Sequence, residues 1–293
     1  MLTTSDFFSC IPEYFAIYCD ERHRKVVRPK LDVIKTFGNY VEKWCEGHPE
    51  RARWLLKTGW EAENLKFTVE KADEYIRDNA GSVKNDLRHV YHAMPPIGWM
   101  NDPNGFCYAA GKYHLFFQFY PYSAAWGPMH WGHLVSDDLI KWEWVKTALA
   151  PDEEYDKDGC FSGSSVEKDG RHYLFYTAVK DGKQSQAAAV SSDGKNFVKL
   201  GVVIPSDELP ENCSETDFRD PYVFERDGKY YMVCGSKAKD GDGQILLFGS
   251  SDLNKWDYVG VVRKDKDNTS GMYECPCMCY VDGYDVYCLL VGF

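Results

Sequence analysis

The 293-residue sequence predicts an all-β fold of the β-propeller type, with about four blades over 89–293 and a helical segment over 1–88. Three observations predict it. A phrase made of a turn glycine and an aromatic strand returns four times. A second, polar phrase returns three times in the same register. Carboxylates recur at nearly one place in the repeat. A period near this size in a strand-rich chain points to propeller blades.

The first 88 residues read as helical. In LDVIKTFGNYVEKWCEG, Leu31, Ile34, Phe37, Val41 and Trp44 recur at steps of three and four residues, and Gly47 stops the run. Leu65, Val69, Ala72 and Ile76 keep the same period in a second segment that ends near Gly81. Nothing there stands out as catalytic, so the segment is expected to be an appendage outside the blades.

From residue 89 short runs rich in Tyr, Phe and Val alternate with Asp-Gly turns, the pattern of hairpins. GKYHLFF begins at Gly111, GRHYLFY at Gly170, GKYYMVC at Gly228 and GYDVYCL at Gly283, in steps of 59, 58 and 55 residues. SDDLIKW ends at Trp142, SSDGKNF at Phe197 and SSDLNKW at Trp256, in steps of 55 and 59. Each unit therefore holds a hairpin, an aromatic strand and a polar turn.

Composition narrows the function. Apolar residues make up 44%, enough for a substantial core. Aromatic residues make up 15%, which suits either sugar stacking or plain sheet packing. A net charge of -11 argues against nucleic-acid or anionic-membrane partners. No run of 18 apolar residues occurs, and MLTTSDFFSC lacks the basic-then-apolar form of a secretory leader. The 11 cysteines show no zinc-ligand spacing, so no metal or cofactor is expected. Unpaired cysteines without an export signal suggest the cytoplasm. Cys275, Cys277 and Cys279 alternate, which on a strand places them on one face as small buried hydrophobes.

Counting back from the repeat glycines, Asp102 lies nine before Gly111, Ser162 eight before Gly170, Asp220 eight before Gly228 and Glu274 nine before Gly283. Each acid stands in a proline context: NDP, RDP and ECP. Proline ends or bends a strand, so a neighbouring carboxylate suits a strand end facing the channel. A single such acid could equally cap a strand. Three in register point to a shared site, and converging carboxylates suit glycoside hydrolysis, where one ionised acid attacks while another stays protonated.

These residues resemble glycoside hydrolase family 32, which includes invertases, sucrose-6-phosphate hydrolases, levanases and inulinases. HAMPPIGWMNDPNG, FRDP and YECP look like its three motifs in order, with LFFQFYP, MHWGHLVSDDLIKW and GCFSGSSV between them. The likeness covers about residues 70–293. It implies a β-fructofuranosidase acting with retention. Asp102 would be the nucleophile, Glu274 the acid/base, and Asp220 the holder of fructosyl hydroxyls. Trp99, Met100, Asn101, Gln118, Trp126, Phe161, Ser162 and Arg219 would line the fructose pocket. Arg219 could fork onto two acceptors, or onto Asp220, lowering that acid's pKa.

There are two departures. Tyr273 stands where the family has Trp before its Glu. The family fold has five blades followed by a β-sandwich, whereas this chain stops 19 residues after Glu274, inside the fourth repeat. The expected partner is a small sugar: sucrose, sucrose 6-phosphate or a fructan. The competing expectations are an inactive or sugar-binding remnant and a fructosyltransferase. Oligomeric state is left open.

Overall fold

The computed structural model describes residues 67–292 apart from 85, 87 and 266–270. The helix expected around 31–47 lies outside the described residues. The second expected helix is present as α1, Val69–Asn79. It begins four residues after Leu65 because Thr68 is its N-cap, with Oγ1 accepting from the Lys71 N–H at 3.3 Å. Its apolar stripe, Ala72 and Ile76, is buried. Ile76 packs with Phe117, Phe119 and Leu134, and Asp73 accepts from the Thr147 N–H at 2.8 Å.

Fourteen strands follow, all paired antiparallel among the described residues. The first sheet holds β1 (Trp99–Ala109), β2 (Lys112–Tyr120), β3 (His130–Ser136) and β4 (Glu143–Leu149). The second holds β5 (Gly159–Lys168), β6 (Arg171–Lys180), β7 (Lys183–Ser191) and β8 (Val198–Ile204). The third holds β9 (Cys213–Arg226), β10 (Lys229–Ala238), β11 (Gly243–Ser250) and β12 (Asp257–Lys264). The fourth pairs β13 (Glu274–Val281) with β14 (Val286–Gly292). The first strands touch in succession, β1 on β5, β5 on β9 and β9 on β13, as the innermost strands of propeller blades do. The architecture is the expected one: successive blades, with no α-helix among the described residues after α1.

Both repeat phrases have a physical origin. Each repeat glycine of the first three blades sits second in a two-residue hairpin turn. Ala110 and Gly111 have φ of 50° and 80°, Asp169 and Gly170 51° and 69°, and Asp227 and Gly228 53° and 72°. Two consecutive positive φ values make a type I′ turn, which matches strand twist. The polar phrase joins third strand to fourth. Ser136 Oγ accepts from the Leu139 N–H at 2.8 Å, and Asp138 Oδ1 from the Ile140 and Lys141 N–H groups at 2.9 and 2.8 Å. Asp193 and Asp252 receive the same backbone N–H pairs in the next two blades. Those bonds hold all three carboxyls below the ordinary aspartate range.

The cores lie between blades. Trp131 and Phe116 of blade 1 meet Leu174 and Tyr176 of blade 2. Phe175 of blade 2 meets Phe218, Met232 and Trp256 of blade 3. Val233 and Ile245 of blade 3 meet Tyr273, Met278 and Leu289 around blade 4. Neighbours in sequence such as Leu174 and Phe175 serve opposite interfaces, so both faces of the second strands are apolar.

Within blade 2, β5 and β6 approach closely at Gly163, where a Cβ would stand 1.9 Å from the Phe175 carbonyl oxygen. That neighbour is backbone and cannot rotate away. Gly163→Ala is expected to destabilise the protein by about 2 kcal/mol or more. Urea unfolding checks it; an unchanged midpoint would show that β5 and β6 can spread at no cost.

Candidate active site

The inner strands present their acids at breaks in strand register. In β1, Met100 pairs with Phe119 and Pro103 with Phe117, so Asn101 and Asp102 oppose Gln118 alone. In β9, Arg219 pairs with Gly235 and Tyr222 with Val233, so Asp220 and Pro221 are the pair with a single opposite residue. In β13 the break follows Glu274, at Cys275 and Pro276; in β5 it falls at Ser162. These are β-bulges, which bend a strand and re-aim its side chains. Each proline sits in or just after a bulge and has no N–H to strand there. Asp220 and Cys275 adopt φ of 63° and 47°, costly values for residues with a Cβ, at two of the four breaks.

The result is a cavity of about 350 Å³ lined by Asn101, Asp102, Gln118, Trp126, Phe161, Ser162, Gln184, Arg219, Asp220, Glu274 and Cys275. Its size is that of a small-ligand site. Asp102 Oδ2 accepts from Ser162 Oγ at 2.9 Å. Asp220 Oδ2 accepts from the Cys275 N–H at 2.8 Å, and the Asp220 N–H donates to Thr177 Oγ1 at 2.9 Å. Arg219 donates to Glu274 Oε1 through Nη2 at 2.5 Å and Nε at 3.2 Å. Trp126 is 58% exposed and meets the Phe161 ring edge-on at 5.9 Å, giving the mouth an apolar wall.

The remaining predicted residues support this lining. Gln118 is buried and donates to the Cys160 carbonyl at 2.9 Å. The Asn101 carboxamide accepts from Trp99 Nε1 at 2.8 Å. Trp99 and Met100 themselves are not among the lining residues. Trp99 orients Asn101 from outside the cavity, and Met100 packs against the α1 core because the strand pleat turns it away. Behind Phe161, the fully buried Asp156 takes Lys199 Nζ at 2.5 Å and the Tyr176 hydroxyl at 2.8 Å, fixing the loop that enters β5.

Of the two alternatives for Arg219, the structure shows the fork onto two acceptors, Glu274 Oε1 and Gln184 Oε1, and not a grip on Asp220. Two expectations need correction: the cysteine face is broken, and the Asp220 pKa is raised, to about 6. Burial is the dominant cause; the Cys275 N–H and the Arg219 charge oppose it, and the Glu274 charge adds to it. The cysteines do not form one buried face. The left-handed backbone at Cys275 turns it into the cavity, while Cys277 and Cys279 stay half-buried with sulfurs 3.5 Å apart. The cavity also holds two residues that the sequence did not nominate, Gln184 and Cys275. Gln184 lies on a third strand, outside any motif, so only the fold could find it.

Among the described residues no group of three or more His, Cys, Asp or Glu is arranged to hold a metal, and no helix is long and apolar enough to cross a membrane. The sequence model of the glycosyl hydrolases family 32 N-terminal domain matches residues 92–293, the stretch that builds all four blades. The chain belongs to glycosyl hydrolase family 32. Family 32 relatives show the same likeness. A sucrose-6-phosphate hydrolase of Bacillus subtilis (strain 168) is 42% identical over 208 residues, covering 68% of this chain and 43% of its own length. A raffinose invertase of Escherichia coli is 43% identical over 196 residues, covering 64% and 40%. A β-fructofuranosidase of Bombyx mori matches in structure with a TM-score of 0.68 and 39% identity, covering 76% and 47%; its complex with sucrose, as a point mutant, has also been solved. The chain thus spans less than half the length of these family 32 proteins.

Proposed function

We propose that this chain carries the catalytic centre of a β-fructofuranosidase that works with retention through a covalent fructosyl–enzyme intermediate. The observation that carries the reading is the meeting of three carboxylates, each from the inner strand of a different blade, in one cavity beside Arg219. The hydrolases and invertase among the family relatives support it.

Each carboxyl has one oxygen engaged by the protein and one left for the sugar. Ser162 holds Asp102 Oδ2, so Oδ1 attacks the anomeric C2. Arg219 holds Glu274 Oε1, so Oε2 delivers the proton to the departing glycosidic oxygen. The Cys275 N–H holds Asp220 Oδ2, leaving Oδ1 for fructosyl hydroxyls next to the positive charge of an oxocarbenium-like transition state. In the second half, Glu274 takes a proton from water, which attacks C2 and frees Asp102.

Retention is tested by running the reaction on sucrose in aqueous methanol. The expected transfer product is methyl β-fructofuranoside, and the α-anomer would contradict a covalent intermediate. The same protein assayed on sucrose and on sucrose 6-phosphate gives the substrate preference. Equal kcat/KM would remove any case for a phosphate pocket.

A further inference from the structure

Gln184 is 7% exposed, sits on β7 and lines the cavity, yet belongs to none of the motifs. Its Oε1 accepts from the Phe218 backbone N–H at 2.9 Å and from Arg219 Nη1 at 3.4 Å. A backbone N–H can only donate, so the atom facing Phe218 has to be the oxygen. This fixes the sense of the carboxamide. The amino group then points the other way. Nε2 has no acceptor among the described residues and is not sealed from the cavity.

Its place in the cavity gives it a partner. Asp102 and Ser162 are one bonded pair, where the nucleophile stands. Glu274, Arg219 and Gln184 form a second bonded chain, with one guanidinium bridging the acid and the carboxamide. The bond that breaks is protonated from the Glu274 side, so the leaving sugar has to occupy that side. Lys183, next to Gln184 in sequence, and Asp217, two residues before Arg219 and 4.0 Å from its Nη1, line a second, open hollow of about 570 Å³ that also carries Ser214 and Thr216. Ion pairs Lys183–Glu215 at 2.6 Å and Lys264–Asp240 at 2.7 Å neutralise much of its charge, so it offers polar groups suited to an uncharged polyol.

We infer that Gln184 is a specificity-determining residue whose carboxamide N–H donates to a hydroxyl of the leaving sugar, and that the hollow beside it receives that sugar. This rests on the fructosidase reading above. Arg219 has its own bonds to Glu274, so the fructosyl side of the cavity does not depend on the Gln184 amino group.

The test measures binding, so it does not require turnover. In an Asp102→Asn background of the full chain, dissociation constants are measured for sucrose and for methyl β-fructofuranoside, which has the fructosyl unit but no leaving sugar. Adding Gln184→Leu is expected to weaken sucrose by about 3–10-fold, the worth of one neutral hydrogen bond, and to leave the methyl glycoside within about 2-fold. Gln184→Glu, which keeps an acceptor for the Phe218 N–H and for Arg219, guards against misfolding and should weaken sucrose selectively as well. Equal weakening of both ligands would reduce Gln184 to a support for Arg219 and overturn the inference. No weakening of either would also overturn it. If the Asp102→Asn parent binds neither ligand, the proposed function fails, and this inference with it.

Discussion

Fructose release from sucrose is expected to fall by about 10⁴-fold or more in Asp102→Asn, the scale seen when a nucleophile is removed. The carboxamide is nearly isosteric and can still accept from Ser162 Oγ, so the site keeps its shape. What disappears is the anionic oxygen that forms the bond to C2. Asp102 is exposed at the cavity, so the folded state loses no buried partner. The thermal midpoint should therefore stay within the few tenths of a kcal/mol typical of surface changes. Activity within tenfold of the parent, in protein free of contaminating invertase, would remove Asp102 from the nucleophile's role.

Asp220→Asn is expected to combine loss of activity with a gain in stability. The Asp220 carboxyl is 6% exposed, and its pKa rises from the ordinary 3.8 to about 6, chiefly through burial. In the unfolded chain it ionises near 3.8, in the folded protein only near 6. Between those values the folded state binds the extra proton, so stability falls as pH rises, and above about 6 the full cost is present. Two pH units correspond to about 3 kcal/mol. Asparagine carries no charge and can still accept from the Cys275 N–H. The variant should gain up to about 3 kcal/mol at pH 8, and the gain should vanish below about pH 4. Urea unfolding of both proteins across pH 4–8 provides the measurement. A gain independent of pH, or a loss at pH 8, would show that the buried charge is not what destabilises the site.

Much of this was legible in the sequence because it depends on local chemistry. Type I′ turns demand residues tolerant of positive φ, so Gly111, Gly170 and Gly228 mark the hairpins. Ser-x-Asp turns demand short side chains that bond backbone, so Ser136, Ser191 and Ser250 mark the third-to-fourth strand connections. The acids could be placed because their count from those turns is nearly constant. Features set by register or by distant strands were not legible. Gln184 reaches the cavity from a third strand and meets Phe218 across 34 residues of sequence. Trp99 and Met100 sit inside a matched motif but outside the lining: the pleat of β1 turns Met100 into the α1 core, and Trp99 bonds to Asn101 without reaching the cavity. Simple alternation misplaced Cys275, because one left-handed residue resets the count. The Arg219 partner was open in sequence; Glu274, 55 residues away, wins it by geometry.

The carboxylates stand on innermost strands of separate sheets, and those sheets are joined through apolar cores and through side chains that reach from one inner strand to the next. Asn104 accepts from the Gly163 N–H at 3.2 Å and Ser164 from the Val223 N–H at 2.9 Å. The gap between any two acids is therefore a property of the angle between whole sheets, not of any loop. Widening it means rolling one sheet against another, which opens the Trp131–Tyr176 or the Phe175–Trp256 contact. Surface loops can lengthen, shorten or change sequence without altering that spacing. Selection can thus remodel the rim of the cavity while the gauge of the three carboxylates stays constant.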